Sequence, residues 1–344
     1  MNVYIACYLF LTVLGLIYLI FRSFGKKITY FLGCMAILPL IVFRASTVGA
    51  DTPAYCRAFV TVSNMRWADL FKMNWEPGLL LVMKAISTVF SNDERVYIFV
   101  FGLICLIPIY KQIWDNSDLP LVGLLVFYAI FFGVAEFINR QWISVLIIIG
   151  SLHYIIERKP FKFFFMILCA AFFHRSALVF APMYFLYLIP LNNMTLLASV
   201  PMSVLLWAAG PYVRNILNYF ARHELVSLNR GGLSLLVFLW ISFAICYTFI
   251  RGDRKTKRDD LLLKMLLFAA VTQPFVFSFY LWSRVYYFII SLIFVLPRAL
   301  YMLLYNNKTS NRVVAGIVIL VFNILLFYQF AKDGFQPFIP MTFT

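Results

Sequence analysis

Four short polar signatures interrupt a chain that is otherwise close to continuous hydrocarbon. They are "FRASTVGADTPAY" at Phe43 to Tyr55, "EFINRQ" at Glu136 to Gln141, "FHRSAL" at Phe173 to Leu178 and "LWSRVYYF" at Leu281 to Phe288. Each sets an arginine, a carboxylate or a histidine beside apolar helix. Charged groups so close to hydrocarbon are costly, and they persist as interfacial anchors or because a ligand pairs with them. A guanidinium fork is suited to two-point recognition of phosphate or carboxylate, so Arg44, Arg140 and Arg284 point to an anionic ligand. Each group also has a plain reading. Arg44 and Arg284 can be snorkelling anchors, Glu136 and Arg140 stand at the spacing of a helical ion pair, and Ser176 can hold His174 at a helix end.

The elements that must position these groups are transmembrane helices. Of 344 residues, 63% are hydrophobic, 19% aromatic and only 12% charged, and the mean hydropathy is +0.89, far from soluble-domain values. The expected fold is all-α: one polytopic integral membrane domain over residues 1–344 with about twelve transmembrane helices. The candidate spans are 3–21, 28–43, 96–110, 120–138, 141–156, 161–173, 176–191, 194–209, 232–250, 261–280, 285–300 and 313–330. The first lacks a preceding basic residue and a small-residue cleavage site, so it is expected to be retained. A further run at 77–90 is short and carries Lys84, which suits a re-entrant or interfacial helix. Residues 44–95 form an external segment carrying motifs, and 210–231 an external loop with an amphipathic helix.

Basic clusters at Arg22/Lys26/Lys27, Arg158/Lys159/Lys162 and Arg251 to Lys264 all fall on the cytoplasmic side when 77–90 does not cross. Both termini are then external. Of the 29 Lys+Arg, 13 lie outside, and ten of those are arginines. The outer face is selectively rich in the fork-shaped cation.

Several functions are excluded or weakened. The net charge of +15 is scattered between spans and forms no stripe that could follow a nucleic acid backbone. Five of the six cysteines lie in apolar runs, so neither a disulfide framework nor a metal-binding spacing exists. There is no HExxH, GxSxG, phosphate loop or dinucleotide fingerprint, and no Asp-x-Asp pattern of the kind that holds a metal-bound sugar nucleotide. No metal site and no cofactor are expected.

In combination and in order, the signatures carry a resemblance. An arginine followed by G-x-D-T-x-x-Y (Arg44, "GADTPAY"), E-P-G opening an apolar helix (Glu76 to Gly78), R-Q at a span start (Arg140, Gln141) and F-H-x-S-A-L (Phe173 to Leu178) resemble the EpsG-type family of Wzy polysaccharide polymerases. Trp142 and Ser144 stand where small residues are more usual, and Leu79 where an aromatic is common, which suggests altered walls of a glycan groove.

The resemblance implies transfer of a growing glycan from undecaprenyl pyrophosphate onto a lipid-linked repeat unit, at the outer face of a bacterial inner (cytoplasmic) membrane. It implies pyrophosphate binding by Arg44, Arg140 and Arg284, with Tyr55, Gln141 and Arg175 as further substrate contacts. His174, Asp51 and Glu76 become the candidates for accepting the acceptor's proton, His174 first. Implied partners are the undecaprenyl-pyrophosphate-linked oligosaccharide, membrane lipid, and flippase and chain-length regulator proteins. The rival readings are a flippase or transporter of lipid-linked oligosaccharide and another outer-face transferase such as a glycan ligase. A transporter would show internal repeats, and none is visible.

Overall fold

A computed structural model describes residues 3–21, 25–49, 51–221, 232–250, 252, 254–277, 286–305 and 309–326. Among them the chain is helical throughout and has no strand. In order the helices are α1 (Val3–Phe21), α2 (Lys26–Val42), α3 (Thr52–Asn64), α4 (Pro77–Val89), α5 (Glu94–Asn116), α6 (Pro120–Val126), α7 (Phe132–Phe137), α8 (Asn139–Ile156), α9 (Pro160–Phe173), α10 (Met183–Leu186), α11 (Asn193–Ala221), α12 (Gly232–Phe249), α13 (Lys257–Thr272), α14 (Tyr286–Ile289), α15 (Leu292–Tyr305) and α16 (Thr309–Leu326). Prolines open α3, α4, α6 and α9, where a missing N–H costs nothing because the first turn has no partner for it.

Four stretches of the described residues are long and apolar enough to cross a membrane: Glu94–Asn116, Pro120–Phe137, Asn193–Ile216 and Tyr287–Leu304. The second is the most enclosed and forms the centre of the bundle. It joins α6 to α7 through a π-turn at Phe127–Phe131, whose five residues are all buried. The third turns Leu197, Val200, Val204, Leu205 and Trp207 outward, a surface stable only against hydrocarbon. Several expected spans are not continuous helices. Residues 176–191 divide into a 3₁₀ turn at Arg175–Phe180 and the single turn of α10, because Pro182 cannot donate to a continuing ladder. Residues 210–221 prolong α11 rather than forming a separate helix, and 222–231 lie outside the described residues.

Helix α4 rises about 20 Å, short of the roughly 30 Å hydrocarbon core. It lies beside α3 in the same direction: the rings of Tyr55 and Trp75 meet at one end, and near the other Lys84 Nζ donates to the Ser63 carbonyl at 2.9 Å. The ammonium thereby satisfies a carbonyl that the end of α3 leaves open.

The two ends of the bundle differ in how they treat charge. Where α5 finishes, Arg298 pairs with Asp118 and Asp259, Lys255 and Lys264 share Asp260, and Arg258 donates to Asn116. Three of the four basic groups there pair with acids, and the fourth with an amide oxygen. About 33 Å away along α5, the starts of α4 and α8 and the end of α9 gather a smaller set.

Candidate active site

The chain breaks at Ile138, where φ −110° and ψ 58° separate α7 from α8. Glu136 and Arg140 therefore do not face each other along one helix, and the expected ion pair between them does not form. Glu136, fully buried, accepts the Tyr4 hydroxyl at 2.9 Å. Arg140, one residue into α8, turns to Glu76 and donates from Nη1 to Oε2 at 2.5 Å. Its Nε donates to the Tyr55 hydroxyl at 3.3 Å, and its guanidinium lies 5.0 Å over the Trp75 ring. Aromatic faces attract and immobilise the cation, so the fork is held on three sides.

Glu76 stands before Pro77 in extended conformation and makes no capping bond to its own helix. Its second oxygen, Oε1, lies 3.2 Å from His174 Nδ1. A carboxylate only accepts, so Nδ1 carries the proton and, in the neutral ring, Nε2 is left as an acceptor. Nε2 is buried and has no partner among the described residues. Burial disfavours the Glu76 anion, yet the hydrogen bonds from His174 and Arg140, together with the Arg140 charge, outweigh it and bring the carboxyl down to about 2. One carboxylate thus bridges a cation and an imidazole.

Packing fixes this bridge. His174 ends α9 with φ −156° and ψ 114°, its N–H bonded to the Ala170 carbonyl at 3.0 Å. Ser176 does not hold it, because the Ser176 hydroxyl meets that of Tyr287 at 3.1 Å. Ser144, one turn beyond Arg140, donates to the Ala170 carbonyl at 2.8 Å and locks α8 to α9. Gly78 lets α4 approach: a Cβ there would meet the Phe173 ring at 2.9 Å and the Phe172 carbonyl at 3.0 Å. Gly78→Val is therefore expected to push α4 away, cost about 1–3 kcal/mol and part Glu76 from His174. Thermal unfolding in detergent measures it, and an unchanged midpoint would contradict the tight approach.

Other expected site residues lie apart. Arg44 is 6% exposed, donates to the Ile41 carbonyl at 2.9 Å and leaves Nε without a partner among the described residues. It lines a separate cleft of about 600 Å³ with Phe43, Phe99, Glu94 and Arg95. Asp51 begins α3 with no side-chain cap among the described residues; burial raises the Tyr55 phenol, and the Asp51 charge adds a smaller push in the same direction. Gln141 is buried, Arg175 is exposed, and Arg284 lies outside the described residues. Tyr55 is 1% exposed and meets Arg140 rather than an open groove. Trp75, which stands directly before the E-P-G signature and whose ring could stack on a sugar, packs instead against the Arg140 guanidinium. Among the described residues, no three His, Cys, Asp or Glu side chains converge as metal ligands would.

A family model described as the EpsG family matches residues 27–343, nearly the whole chain. The chain belongs to the EpsG family. No curated protein and no solved structure matches it. Membership and the apolar helices together make it a membrane-embedded protein of the Wzy-like polysaccharide polymerase class. In this EpsG-family protein the residues thought to alter a glycan groove are core. Trp142 and Leu79 are fully buried, and the Trp142 indole donates to the Cys105 carbonyl at 2.9 Å. Their unusual size fills space between helices.

Proposed function

We propose that the protein transfers a growing glycan from undecaprenyl pyrophosphate to a sugar hydroxyl of a lipid-linked repeat unit, at the outer face of a bacterial inner membrane. The observation that carries this reading is Glu76 held between Arg140 and His174, with His174 Nε2 buried and bonded to no group among the described residues. As the acceptor oxygen bonds to the anomeric carbon, its proton passes to Nε2, and the bond from that carbon to the diphosphate breaks. The departing diphosphate gains negative charge, which the fixed Arg140 fork stabilises.

Glu76 has both oxygens engaged and a strongly acidic carboxyl, so it is assigned to orientation rather than proton abstraction. Asp51, which makes no side-chain hydrogen bond among the described residues, is the second candidate base. Arg284 is a further diphosphate contact in this reading and the exposed Arg175 flanks the substrate, whereas Arg44, in its own cleft, and the buried Tyr55 and Gln141 are left out of substrate contact. The twelve-span map with external termini belongs to the same proposal. So do an interfacial α4 and association with a flippase and a chain-length regulator. Anion stabilisation by arginines calls for no metal.

The test is chain growth by purified protein in lipid, given an undecaprenyl-pyrophosphate-linked repeat unit, with and without EDTA. Lengthening that survives chelation is expected. Translocation of the substrate without lengthening would replace this reading with a flippase.

A further inference from the structure

We infer that the cleft beside Arg44 seats the headgroup of a zwitterionic phospholipid, its phosphate on Arg44 and its ammonium on Glu94, as phosphatidylethanolamine would present them. This lipid site is independent of the proposed polymerisation. Three charged side chains, Arg44, Glu94 and Arg95, line the one cleft of about 600 Å³. None of the three makes an ion pair among the described residues. Arg44 is the costly member. At 6% exposed it has Nη1 on the Ile41 carbonyl, while Nε and Nη2 bond to no group among the described residues. Its field reaches the buried Glu136, but Glu136 bonds to Tyr4 and leaves Oε2 without a partner. A buried cation held by one neutral acceptor is expensive to desolvate, and an anion entering the cleft relieves that cost.

The cleft has a direction, and it selects the occupant. Glu94 stands in the first turn of the membrane-crossing stretch Glu94–Asn116, at the level of lipid headgroups. The Ile41 carbonyl that holds Arg44 lies against Gly102 of the same helix, 3.5 Å from where a Cβ would stand. That is about 12 Å further along α5. The cation is therefore deep and the carboxylate shallow, and the charges of both are felt at the Cys56 thiol of α3. In phosphatidylethanolamine the phosphate adjoins the acyl chains and the ammonium stands outermost, in the same order. Phosphatidylglycerol offers Glu94 only hydroxyls, and free phosphate offers it no cation. The rim indicates a lipid rather than a soluble ligand. Phe43 and Phe90 are 58% and 62% exposed, and Phe99 packs on Phe43 with ring centroids 6.0 Å apart, an apolar border suited to acyl chains.

The test titrates the full chain, delipidated in detergent, with phosphatidylethanolamine or with phosphatidylglycerol of the same acyl chains, and reads lipid binding by native mass spectrometry. Phosphatidylethanolamine should bind about tenfold more tightly, the worth of one charge-assisted hydrogen bond. Glu94→Gln should abolish that preference and leave phosphatidylglycerol binding intact. Arg44→Gln should weaken both lipids about tenfold. Equal affinity for the two lipids in the unmodified chain, or an unchanged preference in Glu94→Gln, overturns the assignment. So does full displacement by excess inorganic phosphate, which would make the cleft a site for the free ion. Glu94 is only partly buried, so its variant keeps the test decisive if Arg44→Gln does not fold. Binding needs no turnover, so this site and the polymerase reading fail separately.

Discussion

Arg140→Ala is expected to lower chain growth by about 10²–10³-fold, the usual cost of deleting one fixed donor to a developing anion. The loss should fall mainly on kcat, because the charge that Arg140 meets grows as the diphosphate leaves. The variant also strips Glu76 of its 2.5 Å partner. Arg140→Lys separates these effects. An ammonium can still pair with Glu76, but it cannot reach Tyr55 with the same planar fork, so recovery should be partial. Single-turnover chain growth with a defined lipid-linked repeat unit measures both. Wild-type kcat in Arg140→Ala would remove the guanidinium from the mechanism.

His174→Ala is expected to cost about 10²–10⁴-fold, the range for loss of a general base. Glu76 sets the acid limit of the arrangement. Its carboxyl is held at about 2 against an ordinary 4.5, so its stabilising contacts are fully present above about 4.5 and are lost only as pH falls toward 2. Glu76→Gln should retain more activity than His174→Ala, because the amide oxygen still accepts from Nδ1 while only the charge opposite Arg140 is lost. Single-turnover chain growth measures both, and a wild-type rate in His174→Ala would move the base to Asp51.

Much of this protein was legible without coordinates, for a definite physical reason. Hydrocarbon demands long apolar helices, and the cost of charge beside it confines ionisable groups to few positions. Composition alone therefore gave the helical class, and the order of four signatures pointed to the family that matches residues 27–343. The short length and Lys84 of the run at 77–90 were visible in the same way.

Pairing was not legible. The spacing of Glu136 and Arg140 suggested one helical ion pair, but the break at Ile138 sends Glu136 to Tyr4 and Arg140 to Glu76, across 132 and 64 residues. Arg44 and Arg140 looked like walls of one phosphate site, yet the chain buries Arg44 in another cleft. Sequence determined which residue types stand at the membrane boundary, because solvation energy acts residue by residue. Only tertiary structure decided which of them meet. The contact of Glu76 with His174 spans 98 residues and depends on how closely α4 approaches α9 at Gly78.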